Sequence, residues 1–301
     1  MSLLHPQLAA FAAVIEEGSF DGAAKRLCVT SSAISQRVKA LEDRLGQVLI
    51  VRQPPCRPTE AGQLLLRRVK SMQVLEAEAF EAFQLDQGDG VMARRLTIAV
   101  NDDSLETWVL PAIAELNRQY GYLFDVVVDD QDHSLDLLRD GTAVGAITSD
   151  SKAIQGCDIH LLGTMRYQAI GSPEFIKRYF PAGVSREALA KAPMMVFNRK
   201  DELQNRFIKS KTHDILSPPT HYLPTSKGFV EAAALGLGWC MVPECMIESD
   251  LGSNRVAMLD ELNPVDVPLY WQHGAIRSTT LMNLTRIFRD HGQNVLINVA
   301  N

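Results

Sequence analysis

Apolar residues recur every three or four positions through the first seventy residues, interrupted by short polar turns. Leu8, Phe11, Ala12 and Ile15 form a helical stripe that stops at Gly18. Ser19 suits the N-cap of a short helix over residues 20–27, whose inner positions are Ala23, Ala24 and Leu27. A tight turn, residues 28–30, leads into "VTSSAISQRVKALEDRLG", residues 29–46. There Ile34, Val38, Leu41 and Leu45 recur at steps of four, three and four and predict a buried face, with Thr30 as N-cap and Gly46 just past the C-terminus. At about 100° per residue, Ser35, Gln36, Lys39 and Asp43 return to within roughly 60° of Ser32, opposite the aliphatics. That face carries short hydroxyls, Gln and Lys instead of the alternating Glu and Lys of a merely solvated helix. An ordinary surface helix is the alternative for this segment alone. The order helix, short helix, turn, helix favours a helix-turn-helix whose last helix enters a DNA groove. An apolar run at residues 48–51, then Arg52, Pro54, Pro55, Arg57 and Pro58, reads as a strand and a stiff basic turn, a wing.

From Thr59 to about residue 85, Leu65, Val69, Met72, Leu75, Ala79 and Phe83 are again three or four apart, so a long helix is expected, capped by Thr59 with Glu60 at its positive end. Its stripe needs a cover, either the wing domain or a second copy paired antiparallel. "DQGDG", residues 86–90, is the expected hinge. Beyond Met92 strands and helices alternate, which predicts an α/β domain with parallel strands. Strands are expected at "RRLTIAV", "LFDVVVDD", "AVGAITS", "YQAIGS", "MMVFN", "GWCMVP" and "VPLYWQH". Helices are expected at "SLETWVLPAIAELNRQYG", "HSLDLLRDG", "SKGFVEAAALGLG" and "TTLMNLTRIFRDHGQNVL".

Composition adds the sign of the partner. The 301 residues carry a formal charge of −6, yet the first seventy hold ten Lys or Arg against six Asp or Glu. A basic N-terminal module on an acidic body suits a chain of which one end meets phosphate. The N-terminus has no basic stretch before an apolar one, and no apolar run approaches the ~18 residues that span a bilayer, so a cytoplasmic location is expected. Cys28, Cys56, Cys157, Cys240 and Cys245 include no C-x-x-C pair; a disulfide framework is not expected, and Cys240 and Cys245 read as buried structural thiols. The seven histidines include no pair three or four apart, so no metal and no cofactor are expected. No G-x-G-x-x-G, P-loop or G-x-S-x-G occurs, and no nucleophile sits with a base, which argues against an enzyme.

"EEGSFDGAAKRLCVTSSAISQRVKALEDRLGQVLIVR" followed by "PTEAG" resembles the winged helix-turn-helix of LysR-type transcriptional regulators, and length and layout extend the likeness over the whole chain. "CVTSSAISQRVKALE", "VRQPPCRPTEAG" and "AVNDDSLETWVLPAI" are most similar to the subgroup called ArgP, LysG or IciA, lysine- and arginine-responsive regulators of basic amino-acid export. The resemblance implies an α/β fold: a helical N-terminal winged helix-turn-helix over 1–58, a dimerisation helix and hinge over 59–90, and a two-lobed Rossmann-like (periplasmic-binding-protein-like) effector domain over 91–301. Lobe I would take 91–164 and 268–301, and lobe II 165–267. It further implies a homodimer or homotetramer, double-stranded promoter DNA as partner, and L-lysine or L-arginine as effector. Another small metabolite, an aromatic or organic acid, is the alternative effector. A solute-binding protein of the same two-lobed design is a more remote alternative, against which residues 1–60 argue.

For DNA, Gln36 can make paired hydrogen bonds to adenine, and Ser31, Ser32 and Ser35 are short enough to let the helix sit deep in the major groove. Arg37 falls beside the apolar face, which favours a phosphate or intramolecular partner; Lys39 is better exposed. Arg52 and Arg57 suit phosphates, with an intramolecular salt bridge equally open for Arg52. The family likeness supports Ser31, Ser32, Ser35, Gln36 and Arg37, while Pro54, Pro55 and Cys56 depart from the usual wing. For an effector, the C-terminal ends of the strands point to loops 101–104, 129–133, 198–201 and 224–227. Ser104, Thr107 and Ser226 offer hydroxyls to a carboxylate, and Asn101 and Asn198 lie on the same loops. Asp102, Asp103, Asp129, Asp130 and Asp132 would attract an ammonium or guanidinium group, though each alone reads equally as a turn or cap residue.

Overall fold

Three helices form where the first apolar period ends in caps. α1 (Pro6–Glu17) stops at Gly18; α2 (Phe20–Arg26) begins after Ser19, whose Oγ accepts the Gly22 N–H at 3.0 Å; α3 (Ser31–Leu45) begins after Thr30, whose Oγ1 accepts the Ala33 N–H at 3.2 Å. α3 ends at Gly46, which takes the left-handed conformation (φ 66°) that costs glycine least. The computed structural model describes residues 3–83, 94–128, 134–139 and 141–297. Phe11, Val14, Ala23, Ile34 and Val38 share one buried core. Leu45, expected on that face, is instead 47% exposed, because the last turn of α3 lies outside the core that Ile34, Val38 and Leu41 enter.

The wing is β1 (Ile50–Val51) paired antiparallel with β2 (Arg57–Pro58). Its strand is shorter than the apolar run suggested, since Val48 and Val51 are exposed and Leu49 and Ile50 buried. The Cys56 N–H bonds the Gly18 carbonyl at 2.8 Å and so docks the wing on the junction of α1 and α2. α4 (Glu60–Ala82) follows; Thr59 Oγ1 accepts the Gly62 N–H at 3.1 Å and donates to the Val48 carbonyl at 2.7 Å. Leu66 and Val69 of α4 join the N-terminal core, and Lys70 pairs with Glu16. Met72, Leu75 and Phe83 stay exposed on the outer edge of α4. The expected hinge, residues 86–90, lies outside the described residues.

The larger part of the chain begins with β3 (Arg95–Val100), α5 (Asp102–Ser104), a π-helical turn Leu105–Val109, α6 (Leu110–Tyr120), β4 (Leu123–Val128), α7 (Ser134–Arg139) and β5 (Gly145–Thr148). Pro111 has no N–H to offer the carbonyl one helical turn back, which accounts for the widened turn just before it. A fifteen-residue strand, β6 (Cys157–Gly171), carries the chain outward. α8 (Pro173–Tyr179), α9 (Arg186–Lys191), β7 (Met194–Val196), α10 (Leu203–Thr212), β8 (Thr220–Tyr222), α11 (Ser226–Ala234), β9 (Cys240–Pro243), α12 (Glu248–Gly252) and β10 (Ala257–Met258) follow. β11 (Val265–Gly274) returns the chain to the first strands, and α13 (Thr279–Gly292) packs on them.

Seven strands form one sheet in the order β10, β6, β11, β5, β3, β4, with β9 also on β6; β7 and β8 pair separately. Strand β3 runs parallel to β4 and β5, as expected, but β6, β9, β10 and β11 pair antiparallel. The reason is topological: β6 leads out and β11 leads back, so the two must run in opposite senses. Cys240 is buried, but Cys245, expected to be buried with it, is exposed in the turn after β9. No helix among the described residues is long and apolar enough to cross a membrane.

The linker helix is clasped to this body. Glu78 of α4 accepts hydrogen bonds from Ser278 Oγ (2.6 Å), the Thr280 N–H (2.8 Å) and Thr280 Oγ1 (2.8 Å) at the N-terminus of α13. Burial opposes the Glu78 charge, and those donors outweigh it, holding its carboxyl below the usual range.

A Cβ on Gly62 would lie 2.1 Å from the Leu49 carbonyl oxygen, which accepts the Thr59 N–H at 3.0 Å. Gly62→Ala is therefore expected to lift α4 off the wing and cost about 1–3 kcal/mol, read as a lower urea midpoint for the N-terminal module.

Candidate functional site

Two candidate sites emerge, one on the N-terminal module and one in the larger part of the chain. On α3, Ser32, Gln36 and Lys39 are exposed, while Ser31, Ser35 and Arg37 are half-buried. Ser31 Oγ donates to the Asp21 carboxylate of α2, so this hydroxyl braces the two helices as well as bordering the polar face. In the wing, Arg52 has taken the intramolecular option: its Nη2 lies 3.4 Å from Glu42 Oε2, and its guanidinium sits 5.4 Å from the centre of the Phe20 ring. Glu42 Oε1 also accepts the Leu49 N–H at 2.9 Å, so Arg52 is held as part of the α3 to wing junction. Arg57 is exposed on β2 and has no polar or ionic partner among the described residues. Lys39 and Arg57 are thus both exposed and carry no ion pair among the described residues.

The second site lies where the first turn after β3 meets the first turn of α11. Asp102 Oδ2 accepts the Ser226 N–H at 2.7 Å, and Lys227 Nζ lies 3.1 Å from Glu106 Oε2. The acidic turn therefore caps α11, which Thr225 also caps through the Gly228 N–H at 3.2 Å. Asp103 accepts a 2.7 Å hydrogen bond from the Tyr167 hydroxyl of β6. Burial pushes the Asp103 carboxyl up to about 6; hydrogen bonds from Ser226 and Tyr167 offset part of the shift, and the charges of Asp201 and Asp102 add to it. No cation lies within salt-bridge distance of Asp102 or Asp103 among the described residues.

Asn101 is 3% exposed and neither amide atom has a partner; the Ser104 hydroxyl is fully buried and equally unsatisfied. Buried polar atoms without partners are uncommon, and here they flank the acidic pair. The other expected residues divide. The Thr107 hydroxyl is engaged by the Asp103 carbonyl at 2.6 Å, and Asn198 Oδ1 accepts the Lys200 N–H at 2.7 Å as a turn residue. These two contacts give Thr107 and Asn198 local structural work. Asp129 and Asp130, with Asp132, lie outside the described residues. Tyr167, on which Asp103 depends, was not singled out by the sequence. Neither was Asp201, whose carboxylate takes the Phe197 and Leu203 N–H groups at 3.0 Å each. A legible signal existed in "YQAIG", where Gln168 is a polar side chain in an otherwise apolar buried strand.

The Asp103 shift has a sign. A carboxyl raised in the fold favours folding when protonated, so its contribution is complete below about pH 4 and is lost as pH rises to about 6. The unfolding free energy of the wild type minus that of Asp103→Asn is expected to fall between about pH 4 and 6 and level off above, measured by urea unfolding across pH. A difference that stays flat over that window would contradict the assignment.

Comparison with known proteins agrees with this layout. The family model for the bacterial regulatory helix-turn-helix protein, lysR family, matches residues 5–63, and the LysR substrate binding domain matches residues 89–293. The HTH-type transcriptional regulator LysG of Mycobacterium tuberculosis is 43% identical over 284 residues, covering 94% of this chain and 92% of the relative. The crystal structure of ArgP from Mycobacterium tuberculosis superposes with a TM-score of 0.88 at 42% identity, covering 99% of this chain and all of that one. Full-length LysG from Corynebacterium glutamicum with bound effector Arg gives a TM-score of 0.79 at 36% identity, covering 98% of this chain and all of that one. With an N-terminal helix-turn-helix, a capped polar α3 and a substrate-binding body matched over most of its length, the chain belongs to the LysR family of bacterial transcriptional regulators.

Proposed function

We propose that this regulator senses a basic amino acid, L-arginine or L-lysine, between the turn 101–104 and the start of α11. The observation that carries the reading is the buried Asp103 carboxyl beside Asp102, with no cation among the described residues in salt-bridge distance of either, flanked by the unsatisfied Asn101 and Ser104. A ligand guanidinium or ammonium supplies a positive charge beside the two carboxyls and lowers the Asp103 carboxyl back toward the usual carboxylate range. The N-terminus of α11, now capped by Asp102, suits the ligand α-carboxylate, which would release Asp102 toward the cation. The arginine-bound LysG of Corynebacterium glutamicum supports the same class of effector.

The chain works as three parts in this reading: residues 1–58 bind promoter DNA, 59–90 connect and pair subunits through the exposed Met72, Leu75 and Phe83 of α4, and 91–301 bind the effector in two lobes. Gln36, Ser32 and Ser35 read bases, with Ser31 and Arg37 beside them; Lys39 and Arg57 meet phosphate. Arg52 serves the module through Glu42. Closure of the lobes on the ligand changes the spacing of the DNA-binding modules in an oligomer, a linked equilibrium.

On DNA, Gln36→Ala is expected to relax preference at one base pair by about 1–3 kcal/mol, while Arg57→Ala weakens operator and scrambled duplex alike and flattens the salt slope by about one. Titrations on both duplexes at several salt concentrations separate these; equal losses on both for Gln36→Ala remove its base-reading role.

In calorimetry on the full chain, arginine or lysine should bind at least about tenfold more tightly than norleucine, and Asp103→Asn should cost the basic ligands about the same factor. Heat from an anionic or aromatic acid, with none from either basic amino acid, would transfer the assignment to the alternative effector.

A further inference from the structure

A cavity open to solvent lies between α4 and the body of the effector domain, apart from the turn at 101–104. It measures about 200 Å³. Its polar side is Arg67, Arg68 and Ser71 of α4; its apolar side includes Leu138, Val144 and Leu281. Lys70, on the rim, is already paired with Glu16. Among the described residues, Arg67 and Arg68 have no acidic partner and no Asp or Glu lines the space. Arg67 Nε is buried with no hydrogen-bond acceptor. The wall is close here: a Cβ on Gly141 would come within 2.7 Å of the Arg67 backbone nitrogen, so α4 packs tightly on the effector domain at the base of this side chain.

A buried guanidinium N–H without an acceptor is costly, and an anion is what satisfies it. The apolar lining of Leu138, Val144 and Leu281 prefers hydrocarbon to water. We propose that this junction is a binding site for a small carboxylate with a compact aliphatic body, its carboxylate on Arg67 and Arg68 and its hydrocarbon against Leu138, Val144 and Leu281. The site has one wall on the helix that carries the DNA-binding module and the other on the body that carries the cleft. Just beyond it Glu78 fastens α4 to the start of α13. An occupant bridges the same two parts that Glu78 bridges, and so gives the regulator an input separate from the amino-acid cleft.

The test is equilibrium dialysis of the full chain with labelled 4-methylpentanoate, using 4-methylpentanamide as the uncharged isostere. One equivalent is expected to bind, with the amide at least about tenfold weaker, the loss expected when a charge-assisted bond is removed. Arg67→Leu removes the guanidinium and Ser71→Leu fills the space; each should weaken 4-methylpentanoate by about tenfold or more while operator binding persists. Asp103→Asn, in the other site, should leave it unchanged. Absence of binding at about 10 mM, the top of a weak small-ligand range, overturns the proposal. Equal binding of acid and amide, or binding that neither Arg67→Leu nor Ser71→Leu alters, overturns it as well.

Discussion

The ladder between β6 and β11 is the constraint on which the effector domain depends. Ten residues of β11 pair with β6 from Val265↔Tyr167 to Gly274↔Cys157, with the register shifting between Leu269 and Tyr270. Both strands are continuous from the β5 edge, where β11 pairs with Thr148 to Gly145, to the far end where β9 and β10 join β6. Backbone hydrogen bonds cannot be dropped inside a protein without large cost, so the two ends of the sheet are tied by paired strands and can move only by bending them. The register shift marks a local break in the ladder, where such strands bend and twist most readily.

That tie places Tyr167 of β6 against Asp103 and brings the turn after β3 to the first residues of α11. The consequence is electrostatic. Two carboxylates are confined beside a helix N-terminus and a tyrosine hydroxyl, with no cation among the described residues in salt-bridge distance of either, and burial raises one of them to about 6. Two carboxylates without a paired cation differ in this from a structural ion pair, in which the opposite charge is built into the fold. The pair Glu16 and Lys70 is the contrasting case: burial penalises the Glu16 charge, but Lys70 and Arg26 more than compensate and hold its carboxyl below the usual range.

α4 carries the connection between the halves. Toward the N-terminal module it offers Leu66, Val69 and Lys70; toward the effector domain it offers Arg67, Ser71 and Glu78. The 3.6-residue period lets one helix serve both, and leaves Met72, Leu75 and Phe83 on a third edge. A helix packed on two parts along its length can pass a shift at one of them to the other as a rigid body.

Local physics was legible without coordinates. Ser19, Thr30, Thr59 and Gly46 cap the helices at which their residue types pointed, because capping is settled by neighbours within four residues. The apolar spacing of α1 and α3 placed most of their buried positions for the same reason, and the turn at 101–104 follows directly from the end of β3. Leu45 and Cys245 could not be placed, since exposure at the edge of an element depends on what packs there. The antiparallel sense of β6 and β11, the partner of Arg52, the Tyr167 to Asp103 bond and the space beside Arg67 join residues tens to hundreds of positions apart, or none that sequence spacing relates. Those contacts belong to the tertiary structure, because they exist only when distant segments are brought together and a charge can be felt across a low-dielectric interior.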